Sequence, residues 1–198
     1  MTAPYSIIYA DPAWRFEVRD RDTGLDRAPD AHYQTMSMDA MMDLPVEAWA
    51  ARDSFLAMWV YDPMLPQALE LANSWGFSFV TVLFRWFKTT DGQLRMFNPT
   101  PTPSFGLGYH TRGGACEECW LFKRGRGVPV LRHDIRKEFF AEVREHSRKP
   151  DEVADWLVDL YGDVSRLEMF ARTRRQGWDV SGNEIDKFTP SAHFAGAA

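Results

Sequence analysis

Cysteine is scarce: Cys116 and Cys119 are the only two among 198 residues. Two thiols cannot build a disulfide framework, and such usage fits a reducing compartment. They sit three apart in Cys116-Glu117-Glu118-Cys119 with no second pair elsewhere. On a strand, residues three apart point to opposite faces, so no metal site is expected. No run approaches 18 apolar residues, and Met1-Thr2-Ala3-Pro4-Tyr5 lacks a basic stretch leading into an apolar one. Neither a membrane span nor a secretory leader is expected, which points to the cytoplasm. A basic excess is also missing, since Lys plus Arg number 23 against 28 acids, a net charge of -5. As a whole the chain is no polyanion-binding basic protein. Neither Gly106-Leu107-Gly108 nor Gly113-Gly114 has the spacing of a phosphate loop.

What is present is enough apolar and aromatic residue, 45% and 14%, for a substantial core in one domain of 22.8 kDa. Residues 1–186 are read as that domain and 187–198 as a flexible tail. The charge is uneven. Residues 1–80 hold five Arg, no Lys and twelve acids, whereas residues 123–149 hold nine basic residues against four acids. Local potential governs polyanion binding, so the second stretch could offer a phosphate-binding face on an acidic protein. The alternative is a solvated surface with internal ion pairs.

Short apolar and β-branched runs predict strands at 5–10, 55–60, 77–87, 116–122, 128–131, 167–171 and 178–180. Helical spacing is weak over 38–50 and clear from Leu65 to Trp75, where Gly76 stops it. A helical turn is expected over 139–145, and a helix from Pro150 to Tyr161. Residues 11–35 and 89–111 read as long loops. Strands alternating with helices indicate an α/β domain with a mostly parallel sheet, whose ligands bind beyond the carboxyl ends of strands.

Asp11-Pro12-Ala13-Trp14 follows the first apolar strand directly. Its chemistry suits an exocyclic amine on a purine, whose lone pair is delocalised into the ring. A fixed carboxylate, Asp11, and the carbonyl of Pro12 can accept the two N–H bonds and favour a more tetrahedral nitrogen. Proline stiffens the turn and removes a competing N–H. Trp14 offers a flat face for the base, worth about 1–3 kcal/mol on single-strand stacking platforms. A structural turn with a buried Trp is the alternative.

Further blocks follow in order: His32-Tyr33-Gln34-Thr35-Met36, Trp86-Phe87-Lys88-Thr89, Gly106 to Arg112 and Glu118-Cys119-Trp120-Leu121. Then come Glu145 to Glu152, Leu167-Glu168-Met169-Phe170-Ala171-Arg172, Gly177-Trp178-Asp179-Val180 and Gly182-Asn183-Glu184. Together with Asp11-Pro12-Ala13-Trp14 they resemble the MT-A70 family of adenine-N6 methyltransferases, above all its short bacterial and phage members, over residues 4–186. The resemblance implies a Rossmann-like fold of permuted order, with the catalytic strand before the cofactor strand, and S-adenosylmethionine as cofactor. It implies Asp11, Pro12 and Trp14 as catalytic residues, and Asp11, Lys149, Glu168, Arg172, Arg174, Arg175, Asn183 and Glu184 around the cofactor. Lys149 would meet the cofactor carboxylate, and Asn183 with Glu184 the ribose hydroxyls.

The substrate side would hold Trp14, His32, Tyr33, Lys88, Tyr109, Arg112, Lys123 and Arg124. A target adenine in a duplex must be flipped out before reaction. The partner implied is nucleic acid, DNA rather than RNA, in a bacterial or phage-infected cytoplasm, with a homodimer or a heterodimer open. Two departures stand out: Ala13 replaces the second Pro of the motif, and Ser181 stands where bacterial members often carry Trp. The first leaves open a catalytically degenerate partner of the same fold that binds nucleic acid and cofactor; an RNA adenine-N6 methyltransferase, and a methyltransferase for free nucleotides or small amines, are the other readings.

Overall fold

A computed structural model describes residues 4–14, 35–89, 106–107, 112–113, 116–145 and 147–188. Four apolar runs become long or central strands: β1 (Tyr5–Ala10), β2 (Ala50–Val60), β3 (Ser78–Thr89) and β6 (Cys116–Arg124). The pairs β4 (Gly106–Leu107) and β5 (Arg112–Gly113) form a separate two-stranded piece. Three shorter strands complete the main sheet: β7 (Glu138–Glu142), β8 (Arg166–Met169) and β9 (Asp179–Ser181). The order is β7-β3-β6-β2-β1-β8-β9. Only β6 runs antiparallel to its neighbours β2 and β3; every other pairing in this sheet is parallel. This is the expected mostly parallel, Rossmann-like sheet, and the chain's first strand lies beside the late β8, as a permuted order requires.

Period-two alternation sends side chains to two layers. On one face pack α1 (Met38–Met42), α2 (Val46–Trp49) and α3 (Leu65–Ser74), around Ile8, Leu56, Met58 and Phe122. Helix α3 buries Ala68, Leu71 and Ala72 at helical spacing, and ends where Gly76 takes a φ of 81°. Its last carbonyls are met by the backbone N–H groups of Gly76, onto Asn73, and Phe77, onto Ala72. The opposite face is covered by α4 (Glu152–Tyr161), which buries Val153, Ala154, Leu157, Leu160 and Tyr161 against Ile7, Tyr9, Trp59, Phe84 and Trp86. Each fully buried leucine there contributes about 1.5–3 kcal/mol.

Two expectations fail. Residues 139–145 were expected as a helical turn, yet Glu138–Glu142 form an edge strand parallel to β3, with Phe139 turned to α4 and Phe140 outward. Val128–Leu131, expected as a strand, pairs with none; Pro129 offers no N–H, and the Leu131 N–H donates instead to the Leu160 carbonyl at the end of α4. The helix expected from Pro150 starts at Glu152. Lys187 and Phe188, expected at the start of a loose tail, are bonded: Lys187 to Glu184, and the Phe188 N–H to the Arg172 carbonyl. Residues 189–198 lie outside the described residues. Among the described residues no helix is long and apolar enough to cross a membrane.

Candidate active site

The parallel strands β1 and β8 end side by side, Ala10 opposite Met169, so Asp11 and the Phe170-Ala171-Arg172 turn emerge together at the carboxyl edge. Phe170 takes a φ of 57°, rare for a side chain of this size and a form of strain that clusters at functional turns. Gly182, after β9, presses on this turn. A Cβ there would meet the Ala171 carbonyl oxygen at 2.5 Å and its nitrogen at 2.7 Å, so only glycine allows the approach. Between them opens a pocket of about 290 Å³, lined by Asp11, Pro12, Ala13, Phe170, Arg172, Asn183, Glu184 and several apolar side chains, among them Leu44 and Met169.

Alternation places a second set of charges at the same edge. Asp11 follows Tyr9, Glu117 precedes Cys119 and Lys88 follows Trp86, each two residues beyond a side chain buried on the α4 face. Lys149 Nζ lies 3.0 Å from Asp11 Oδ1, 3.1 Å from Oδ2 and 3.3 Å from Glu117 Oε2. Lys88 Nζ is 2.5 Å from Glu117 Oε1. Arg172 Nη2 donates to Asp11 Oδ2 at 3.0 Å and to the Ser147 carbonyl at 2.5 Å. The result is an alternating series, Lys88, Glu117, Lys149, Asp11, Arg172, resting on an indole floor: Lys88 Nζ is 5.4 Å from the Trp86 ring centre and Lys149 Nζ 5.7 Å from that of Trp59.

These charges shape one another. Burial works against ionisation of Glu117, but Lys149 and Lys88 outweigh it and hold the carboxyl down at about 2. Burial also opposes the charge on Lys149, and Asp11 with Glu117 overcome it, keeping the ammonium protonated well above the ordinary lysine range. Behind them, Asp151 accepts from Arg144, Arg148 and Arg175 at 2.7, 3.1 and 2.6 Å, and Arg175 also donates to Glu168 at 3.0 Å. Burial pushes the Glu168 carboxyl up against the pull of Arg175.

Of the cofactor-side residues expected, Asp11, Arg172, Asn183 and Glu184 line the main pocket. Lys149, Glu168 and Arg175 join Asp11 and Arg172 around a smaller adjoining cavity. Arg174 does not join them: it pairs with Asp186, 64% exposed. Trp14, expected to face the base, is 5% exposed and packs in the core on the α1–α3 side, where it anchors the turn instead. Its N–H donates to the Pro12 carbonyl at 2.8 Å.

Lys88 takes its place in the charge series, whereas Lys123 and Arg124 lie at the opposite edge. In the antiparallel β6 they sit across from Phe55 and Ser54, and Arg124 binds Glu47. His32, Tyr33 and Tyr109 lie outside the described residues, and Arg112 lies in β5. Sequence reasoning missed Glu117. The available signal was the alternation Glu117-Cys119-Leu121, which places that carboxylate on the buried face of a strand.

The pocket, the Asp11 turn and the sheet order together define a methyltransferase fold. The chain belongs to the MT-A70 family, whose model matches residues 5–184. It is similar to the type II methyltransferase M.MunI of Mycoplasma sp, 28% identical over 197 residues, covering 91% of this chain and 78% of that protein. It is also similar to a probable N(6)-adenosine-methyltransferase MT-A70-like protein of Oryza sativa subsp. japonica, 29% identical over 92% of this chain. The human N(6)-adenosine-methyltransferase catalytic subunit METTL3 is 26% identical over 92% of this chain. The match spans about a quarter of these two longer proteins, 23% and 28% of their lengths.

Proposed function

We propose that this protein is an S-adenosylmethionine-dependent methyltransferase acting on N6 of adenine in DNA. The observation that carries the reading is the acceptor geometry at Asp11. A carboxylate has about four lone-pair positions. Lys149 takes one on each oxygen and Arg172 a second on Oδ2, which leaves one on Oδ1. The Pro12 carbonyl has two positions, and the Trp14 N–H takes one. Among the described residues one acceptor position remains on each, at adjacent residues: the number an NH₂ group needs. Both acceptors are fixed before the substrate arrives, which is where electrostatic stabilisation is largest.

The donor set beside them fits S-adenosylmethionine. Asn183 and Glu184 suit a ribose diol, Arg172 a carboxylate, and Leu44, Met169 and Phe170 a flat base, while Lys149, expected at that carboxylate, is turned to Asp11 and Glu117 instead. The cofactor would supply a methyl carbon made electrophilic by sulfonium. Asp11 and Pro12 would orient the amine lone pair toward that carbon, and the N–H proton lost would leave for solvent, because the Lys149 ammonium on Asp11 stays protonated. DNA is favoured because the similarity to the type II methyltransferase covers most of that protein. The adenosine methyltransferases among the relatives keep RNA as the second reading.

The test is transfer of isotopic methyl to adenine-containing DNA and RNA. Labelled N6-methyladenine is expected in DNA, falling by about 10²–10³ or more in Asp11→Ala. Label that survives this substitution would overturn the mechanism. Label in RNA alone would select the second reading.

A further inference from the structure

We propose that Glu117 is a positioning residue that holds the Lys149 ammonium on Asp11 and so fixes the one acceptor position Asp11 presents to the amine. This rests on the reading of Asp11 as amine acceptor. Lys149 has three N–H donors, and among the described residues the three carboxylate oxygens it meets are the two of Asp11 and Glu117 Oε2. Its ammonium is thus fully committed, and its side-chain exposure is 12%. A lysine is a point charge on a flexible four-carbon stem, so its head goes where counter-charges hold it.

Glu117 itself is held by the sheet. It stands across from Trp86 in the pairing of β6 with β3, and Lys88 fixes its other oxygen at 2.5 Å. The adjacent Glu118 has another task, since it accepts from Arg85 and from the Trp120 indole. Without Glu117, two cations, Lys149 and Arg172, would be held on Asp11 by that one carboxylate, with the charge of Lys88 close by. Repulsion would then draw Lys149 or Arg172 off the Asp11 oxygens and change which lone pair is open.

Lys149 is faced by Asp11 from the end of β1, Glu117 from β6, Arg172 beyond β8 and the Trp59 ring from β2. Cys119 on β6 also faces the site, its thiol pushed up by burial and by Asp11 and therefore neutral. Removing Glu117 takes away one of the two anions that hold the ammonium charged.

The experiment compares wild type, Glu117→Gln and Glu117→Asp in full-length protein, using steady-state transfer to DNA and NMR of ¹³C-labelled lysine. In Glu117→Gln, kcat is expected to fall at least about tenfold with the KM for DNA within about threefold. Its Lys149 resonance is expected to titrate at a clearly lower pH than that of the wild type. Glu117→Asp keeps the charge at shorter reach and should leave the lysine titration as in wild type, with kcat reduced severalfold.

A folded Glu117→Gln with unchanged Lys149 titration and unchanged kcat overturns the proposal. Should that variant not fold, Glu117→Asp decides, and an unaltered kcat there overturns it equally. A wild type that methylates no polymer would defeat the reading of function, while the lysine titration would still decide whether Glu117 holds Lys149.

Discussion

The two edges of the main sheet carry similar numbers of charged side chains and use them differently. At the carboxyl edge, Asp11, Glu117, Lys149, Asp151, Glu168, Arg172 and Arg175 have side-chain exposures of 9–21%, and most of them contact two or more partners. At the opposite edge, Arg124 meets Glu47, Arg126 meets Asp53 and Arg132 meets Asp134 and Asp159, and in each pair at least one side chain is close to half exposed or more. The basic stretch 123–149 is therefore not one face. Residues 123–126 belong to the far edge and 144–149 to the site, so the excess charge counted along the sequence says nothing of where a polyanion would lie.

The largest difference between the edges should appear on removal of a shared anion. Asp151 is 6% exposed and compensates three arginines. Asp151→Ala would leave them clustered beneath Lys149, and breaking a buried pair of this kind costs about 3–5 kcal/mol. Urea unfolding at pH 7 checks it; a loss under about 1 kcal/mol would show that the carboxyl edge is no more interdependent than the far one.

A second contrast is in pH. The Glu117 carboxyl is held at about 2 against an ordinary 4.5. A depressed folded value means that its contribution to stability is complete above about pH 4.5 and is lost as pH falls toward 2. Between pH 7 and pH 3, wild type should lose on the order of 2 kcal/mol more than Glu117→Gln. Equal losses in urea titrations at the two pH values would place the coupling elsewhere.

The sequence made the strands of the sheet centre legible because they are buried on both faces, and continuous apolar runs such as Phe55–Val60 show that directly. The edge strand β7 was misread because its alternation, Phe139 inward and Phe140 outward, spans five residues and looks like a helical turn. Asp11, Arg172, Asn183 and Glu184 were legible through their blocks and meet in one pocket. Glu117 was not, since its neighbours in sequence are an acid and two cysteines, and its partners Lys88 and Lys149 arrive from β3 and from the segment before α4. Trp14 shows the converse: a motif residue whose side chain is buried on the other side of the sheet.

The smallest effect belongs to the far edge. Arg126 is 91% exposed and lies 3.7 Å from Asp53, while its own backbone N–H donates to Asp53 Oδ1 at 2.7 Å. The backbone bond closes the turn after β6, and Arg126→Ala keeps it. What is lost is an exposed ion pair, weakened by solvent and by the entropy of holding a long side chain. The melting temperature should move by less than about 1 °C, and methyl transfer should stay within about twofold. A larger fall in transfer, steepening as salt is lowered, would mean that nucleic acid reaches the far edge, and the division between a working edge and a solvated one would have to be redrawn.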